Sequence, residues 1–122
     1  MSIVRDKYRG SAEYDQVRDL LISAAKQKTV VLYHPNITRI MGLTEPSGHM
    51  AGELGQILGE ISEDEHIGGR PLLSAVAIGS ENRPGSGFFL LARQLGKPVG
   101  NDEDVYWQRE LRAVFDEWGT SR

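Results

Sequence analysis

Histidines and carboxylates recur at helical spacing in the middle of the chain, where they could bind a metal or act as acid and base. His49 and Glu53 are four residues apart, which places them on one face of a helix. Glu63 and His66 are three apart. Such pairs can share a metal ion, but helical metal sites use a second copy of the motif. The only other histidine is His34. We therefore expect a solvated polar face without metal, cofactor or catalytic residues; a metal site or acid–base catalysis is the lesser alternative.

A glycine-rich turn at residues 82–88 suggests a different chemistry, the binding of an anion or other polar ligand. Arg83 supplies positive charge, and Gly85, Ser86 and Gly87 precede an apolar run typical of a helix. Glycines let a ligand approach the backbone, and the first turn of a helix offers free N–H groups. The stretch lacks the lysine of a phosphate-binding loop. A plain turn is the simpler interpretation, and ligand contact is the functional one.

Glycine is also unusually frequent. The chain has 14 glycines, ten of them between residues 42 and 87. One set is spaced four, three and four residues apart and would form a stripe on a helix: Gly48, Gly52, Gly55 and Gly59. Each glycine inside a helix costs about 0.8–1 kcal/mol relative to alanine. Three arrangements would offset that cost: close packing within the subunit, contact across a homodimer axis, or a ligand against the bare backbone.

The composition excludes several functions. Cysteine is absent, which rules out disulfides, thiolate zinc sites and a thiol nucleophile. No apolar run is long enough for a membrane span, and the N-terminus lacks the apolar core of a signal peptide, so we expect a cytoplasmic protein. The net charge is −3, and residues 48–69 carry five acids with no lysine or arginine. This charge disfavours nucleic acid as a partner.

The apolar spacing predicts the elements that must position these residues. They are a helix over residues 14–25 capped by Ser11, a strand at 29–33, a short helix that Asn36 caps and Gly42 ends, a central helix at 49–67, a strand at 72–78, a helix at 88–95, and a final helix capped by Asn101 or Asp102. Trp107 and Trp118 lie on the apolar stripe of the last helix, which is expected to anchor the core or an oligomer interface. The length favours one domain over residues 1–122, with residues 1–10 loosely held.

Three runs together resemble a family of small bacterial proteins of uncharacterised function, some of which travel on mobile elements. The runs are Leu-Gly-Glu-Ile-Ser at residues 58–62, Gly-Arg-Pro-Leu-Leu-Ser-Ala-Val at 69–76, and Pro-Gly-Ser-Gly-Phe-Phe-Leu-Leu-Ala at 84–92, which continues to Leu95 and Gly96. The resemblance implies no activity. The order of elements is also similar to the winged-helix domain of the alkylguanine DNA alkyltransferases. Where that family has Pro-Cys-His-Arg, this chain has Pro-Leu-Leu-Ser at 71–74, so the resemblance implies no alkyl transfer.

The sequence therefore predicts an α+β fold in which two or three short strands are covered by four or five helices, in a winged-helix-like layout. The expected function is that of a non-enzymatic binding or adaptor protein, homo-oligomeric, whose ligand is a small polar molecule or a protein. We expect its pocket near the central helix, Arg70 and the turn at residues 83–87, within reach of His49 and Glu53. The alternative is a nucleic-acid-binding regulator that uses Arg83, Arg93 and Lys97.

Overall fold

The computed structural model describes residues 2–119, which form five α-helices and a small parallel sheet. Residues 1 and 120–122 of the expected domain lie outside the described part. The helices are α1 (Ala12–Lys26), α2 (Thr38–Met41), α3 (Gly48–Ile67), α4 (Ser86–Gln94) and α5 (Glu103–Trp118), and the strands are β1 (Val31–Leu32) and β2 (Ala77–Ile78). The expected α+β class is confirmed. None of the helices within residues 2–119 combines the length and apolar character needed to cross a bilayer.

Side-chain caps begin the three longest helices. Ser11 Oγ accepts from Tyr14 N–H at the start of α1, Ser47 Oγ accepts from Met50 N–H at α3, and Asp102 accepts from Val105 N–H at α5. These contacts satisfy amide groups that have no partner inside their helix. Gly42 ends α2 with φ at 72°, a conformation that favours glycine. Asn36 does not cap α2: its Oδ1 accepts from Leu32 N–H at 2.9 Å and closes the turn after β1.

The two strands pair in parallel, with Val31 opposite Ala77 and Leu32 opposite Ile78. A parallel pair needs a long crossover, and here the crossover contains α3. The predicted strand at 72–78 is correct only for its last two residues, since Leu73–Val76 forms one 3-10 turn. Residues 72–78 are all buried. A continuous apolar run indicates burial on every side and does not distinguish a strand from a tight helical turn.

The last helix closes the core through Trp107. Its side chain is buried, and its Nε1–H donates to the carbonyl oxygen of Ala75 at 2.9 Å. Trp118 is half-buried, with the guanidinium carbon of Arg18 lying 5.7 Å from its ring centre. Trp107 therefore belongs to the core. A role for Trp118 at an oligomer interface stays a prediction.

Candidate functional site

A cavity of about 480 Å³ lies between α3, α4 and the turn that precedes α4. Its lining is mostly apolar and comes from distant parts of the sequence: Val4, Tyr33, Ala51, Leu54, Gly55, Gln56, Leu58, Gly59, Ser74, Gly85, Ser86, Gly87, Phe88, Leu90, Leu91 and Gln94. Leu90 is 59% exposed at this face. A concave, largely apolar space with a few polar groups is the usual form of a small-molecule site.

The turn before α4 is held in place by Tyr33. The N–H of Gly85 donates to Tyr33 Oη at 2.9 Å, and Gly85 is the N-cap residue of α4, which has no side-chain cap. Burial raises the pKa of Tyr33, and the bond from Gly85 lowers it only in part. The phenol therefore stays protonated at neutral pH.

Two glycine features that are distant in the sequence meet in this cavity. Gly55 and Gly59 of the stripe line one side, and the predicted ligand-contact residues Gly85, Ser86 and Gly87 line another. The sequence predicted each feature separately. It missed Tyr33, which follows an apolar run and has no local pattern that marks it as functional. Ser74 lies inside a mostly apolar run, and from the sequence it is interpreted as a structural hydroxyl.

The glycine stripe is not explained by packing within the subunit. A Cβ atom placed on Gly48, Gly52 or Gly55 would meet nothing within 4 Å in the described chain. Only Gly59 has a neighbour, with Val4 Cγ1 at 3.5 Å from the Cβ position, an ordinary contact. Packing inside the subunit is therefore the wrong explanation for the first three glycines. A ligand or a second subunit stays open for them.

The arginines expected at the pocket face elsewhere. The guanidinium of Arg83 pairs with Asp104 at 2.9 Å and lies over the ring of Phe89. The Nε of Arg70 donates to Glu65 at 2.6 Å. Neither side chain lines the cavity, because each has a carboxylate partner close by. The expected anion site at this turn therefore lacks its cation.

The acidic face of α3 is covered rather than solvated. Residues 2–9, here called the N-terminal strap, lie along it and donate their backbone N–H groups to its carboxylates. Glu60 is fully buried and accepts from the amides of Lys7, Tyr8 and Arg9 at 2.7–3.1 Å. Glu63 accepts from Ile3 N–H at 2.6 Å. The expectation of a solvated face is wrong for Glu60 and Glu63. The expectation that residues 1–10 are loosely held stays a prediction.

The covering of Glu63 also sets its charge state. Burial by itself would raise the pKa of this carboxyl group, but hydrogen bonds from Ser2, Ile3 and Arg9 outweigh burial and hold the pKa below its ordinary value. The Nη2 of Arg9 lies 2.7 Å from Glu63. Glu63 is therefore ionised at neutral pH and fixes the strap with a charged acceptor.

His49 and Glu53 do not form a joint site. His49 is exposed, and Glu53 binds Lys7 Nζ at 2.7 Å and the hydroxyl of Tyr8. These two bonds lower the pKa of Glu53 despite partial burial. Within residues 2–119 no group of three or more histidine, aspartate or glutamate side chains is arranged to hold a metal. Glu53 serves as an anchor for the strap.

The cations proposed for nucleic-acid contact are paired as well. Arg93 binds Glu103 at 2.8 Å, and Lys97 binds the buried carboxylate of Glu110 at 3.2 Å. Arg83 is paired as well. Binding of a phosphate backbone depends on free positive charge, and each of these three cations already has a carboxylate partner.

The chain matches no protein-family model, no curated protein and no solved structure. The likeness to small bacterial proteins and to the alkyltransferase layout therefore stays a prediction.

Proposed function

We propose that this chain is a small-molecule binding protein whose ligand occupies the cavity between α3 and α4. The carrying observation is the convergence of exposed Gly55 with the glycines of the turn around one apolar space of about 480 Å³. The glycines at 52 and 55 have no internal neighbour that requires them. At Gly55, the absence of a side chain keeps one wall of the cavity open.

Binding without catalysis fits the lining. Among the described residues that line the cavity, Tyr33 is the only one with a titratable side chain, and burial keeps its phenol protonated. Acid–base catalysis needs a group poised near the working pH. The mostly apolar lining supports a ligand with an apolar body in place of the small polar molecule expected from the sequence.

A matched pair of substitutions tests the proposal. Gly52 and Gly55 lie on the same helix and are both exposed, but only Gly55 lines the cavity. We expect the apolar probe 2-ethylnaphthalene, followed by two-dimensional nuclear magnetic resonance, to shift amide signals at residues 51–59 and 85–94. Gly55→Ala narrows the cavity and should weaken this binding several-fold, whereas Gly52→Ala should leave it unchanged.

Two results would overturn the proposal: no shift at the solubility limit of the probe, or equal weakening by both variants. Light scattering of the same samples measures self-association. A homo-oligomer formed through the exposed face of Gly48 and Gly52 stays a prediction, and it would place a second subunit beside the cavity.

A further inference from the structure

Ser74 is a buried residue that carries a hydroxyl group and lines the cavity. It is 5% exposed, and it lines the apolar space next to Leu54 and Leu58 of α3. Ser62 Oγ lies 2.6 Å from Ser74 Oγ, and Ser62 also accepts from the backbone N–H of Ser74 at 3.1 Å. The two side chains thus form one buried hydroxyl pair.

This pair has one more proton than it uses. Two hydroxyl groups carry two protons, and the single bond between Ser62 and Ser74 takes one. No other acceptor within residues 2–119 bonds to either hydroxyl. Since Ser62 already accepts from the Ser74 amide, the arrangement in which Ser62 donates leaves the free proton on Ser74, at the cavity. A buried donor without an acceptor is costly, and an oxygen atom in the cavity would satisfy it.

Tyr33, which contacts the turn before α4, also has a hydroxyl proton without an acceptor among the described residues. Its Oη accepts from Gly85 N–H, its phenol keeps its proton, and no acceptor for that proton lies within the described chain. Ser74 and Tyr33 are therefore two hydroxyl donors whose protons have no acceptor within residues 2–119, and Ser86 adds a third hydroxyl to the lining. The cavity offers no lysine, arginine or histidine side chain among its described lining, so a carboxylate or phosphate placed there would lose its water without gaining a cation.

Resting on the proposed function, we infer that the ligand is an uncharged apolar molecule with a carbonyl or ether oxygen, and that Ser74 is the donor that selects for this oxygen. Tyr33 is the second donor. The apolar body contacts Leu54, Phe88 and Leu91. This class replaces the anions that the sequence of the turn suggested, because the described lining offers them no cation.

Three probes with the same ring system test the inference on the whole chain: 2-ethylnaphthalene, 2-acetylnaphthalene and 2-naphthoate. The ketone replaces a methylene group with a carbonyl at nearly constant shape. We expect it to bind about tenfold more tightly than the ethyl compound, the ratio that corresponds to one hydrogen bond to a buried donor. The carboxylate should bind more weakly than the ketone.

Variants then locate the donor. Ser74→Ala should reduce the preference for the ketone, leaving only what Tyr33 supplies, while the ethyl compound still binds. Ser62→Ala breaks the same buried pair but leaves the Ser74 hydroxyl in the cavity, so its preference should persist. Circular dichroism checks that both variants fold. The comparison of the three probes on the wild-type chain tests the inference even if a variant does not fold.

The possible failures are distinguishable. Equal affinity of the ketone and the ethyl compound in the wild-type chain, or tightest binding of the carboxylate, would overturn the inference and leave the proposed function standing. An undiminished preference in Ser74→Ala would also overturn it. Absence of binding by all three probes would overturn the proposed function and the inference together.

Discussion

Replacing Gly52 and Gly55 with alanine should make the isolated chain more stable. Both residues lie inside α3, and a Cβ atom at either position would meet nothing within 4 Å. The intrinsic preference of a helix for alanine over glycine, about 0.8–1 kcal/mol for each residue, is therefore gained without a clash. The double variant should gain about 1.6–2 kcal/mol in free energy of unfolding.

Urea denaturation followed by circular dichroism measures this gain. With a slope of about 1.5–2 kcal/mol per molar urea, the midpoint should rise by about 1 M at an unchanged slope. Gly69→Ala is the control of opposite sign, because Gly69 has φ at 79°, where an L side chain is strained. It should lose about 1 kcal/mol.

A lower midpoint for Gly52→Ala or Gly55→Ala would refute the reasoning, since it would mean that the neighbourhood of α3 is more crowded in solution than the structure shows. A different result is a gain in stability for both single variants with weaker probe binding for Gly55→Ala alone. That result would show that glycine at position 55 keeps the cavity open and lowers the stability of α3.

Three further predictions concern buried polar contacts. The stability that ionised Glu63 contributes is present above its ordinary pKa of 4.5 and is lost as the pH falls through its lower folded value. The difference in urea midpoint between wild type and Glu63→Gln should therefore be largest at pH 7 and shrink below pH 4.5. A difference that does not change with pH would contradict this. Glu110→Ala leaves the buried N–H of Leu72 without its acceptor at 2.8 Å and should cost about 2–3 kcal/mol by thermal or urea unfolding, whereas Glu110→Gln, which keeps an acceptor, should cost less. Trp107→Phe removes the bond to Ala75 and leaves a small cavity, and should cost about 2 kcal/mol; near-neutral behaviour in the same assay would mean that the bond is replaced by water.

Local signals predicted the helices well. Ser11 and Asp102 cap helices in the structure as the sequence indicates, because a cap and the amide it binds lie within one turn of chain. The class of the fold followed from the same spacing. The predicted strand at 72–78 is too long. A mostly apolar run has no alternation of polar and apolar residues, so its spacing does not distinguish a strand from a helical turn.

The candidate site was predicted only in pieces. The carboxylates of α3 fall on a polar face by spacing, and nothing near them in the sequence shows that Glu60 and Glu63 are buried. Their partners lie 51–61 residues earlier, in the strap. The pairing of Arg83 with Asp104, 21 residues later, was equally hidden. Contacts between distant segments depend on the assembled fold, which one sequence does not reveal.

The strap determines the order in which parts of the molecule can fold during synthesis. Its amides are made long before their acceptors: Ile3 binds Glu63, 60 positions later in the chain. At roughly 5–20 residues per second, the ribosome needs about 3–12 seconds to span that interval. The earliest part of the described chain to be synthesised must therefore wait for α3. Since Val4 of the strap lines the cavity beside Gly59, this wall of the cavity is completed only after the helix beneath it has been translated.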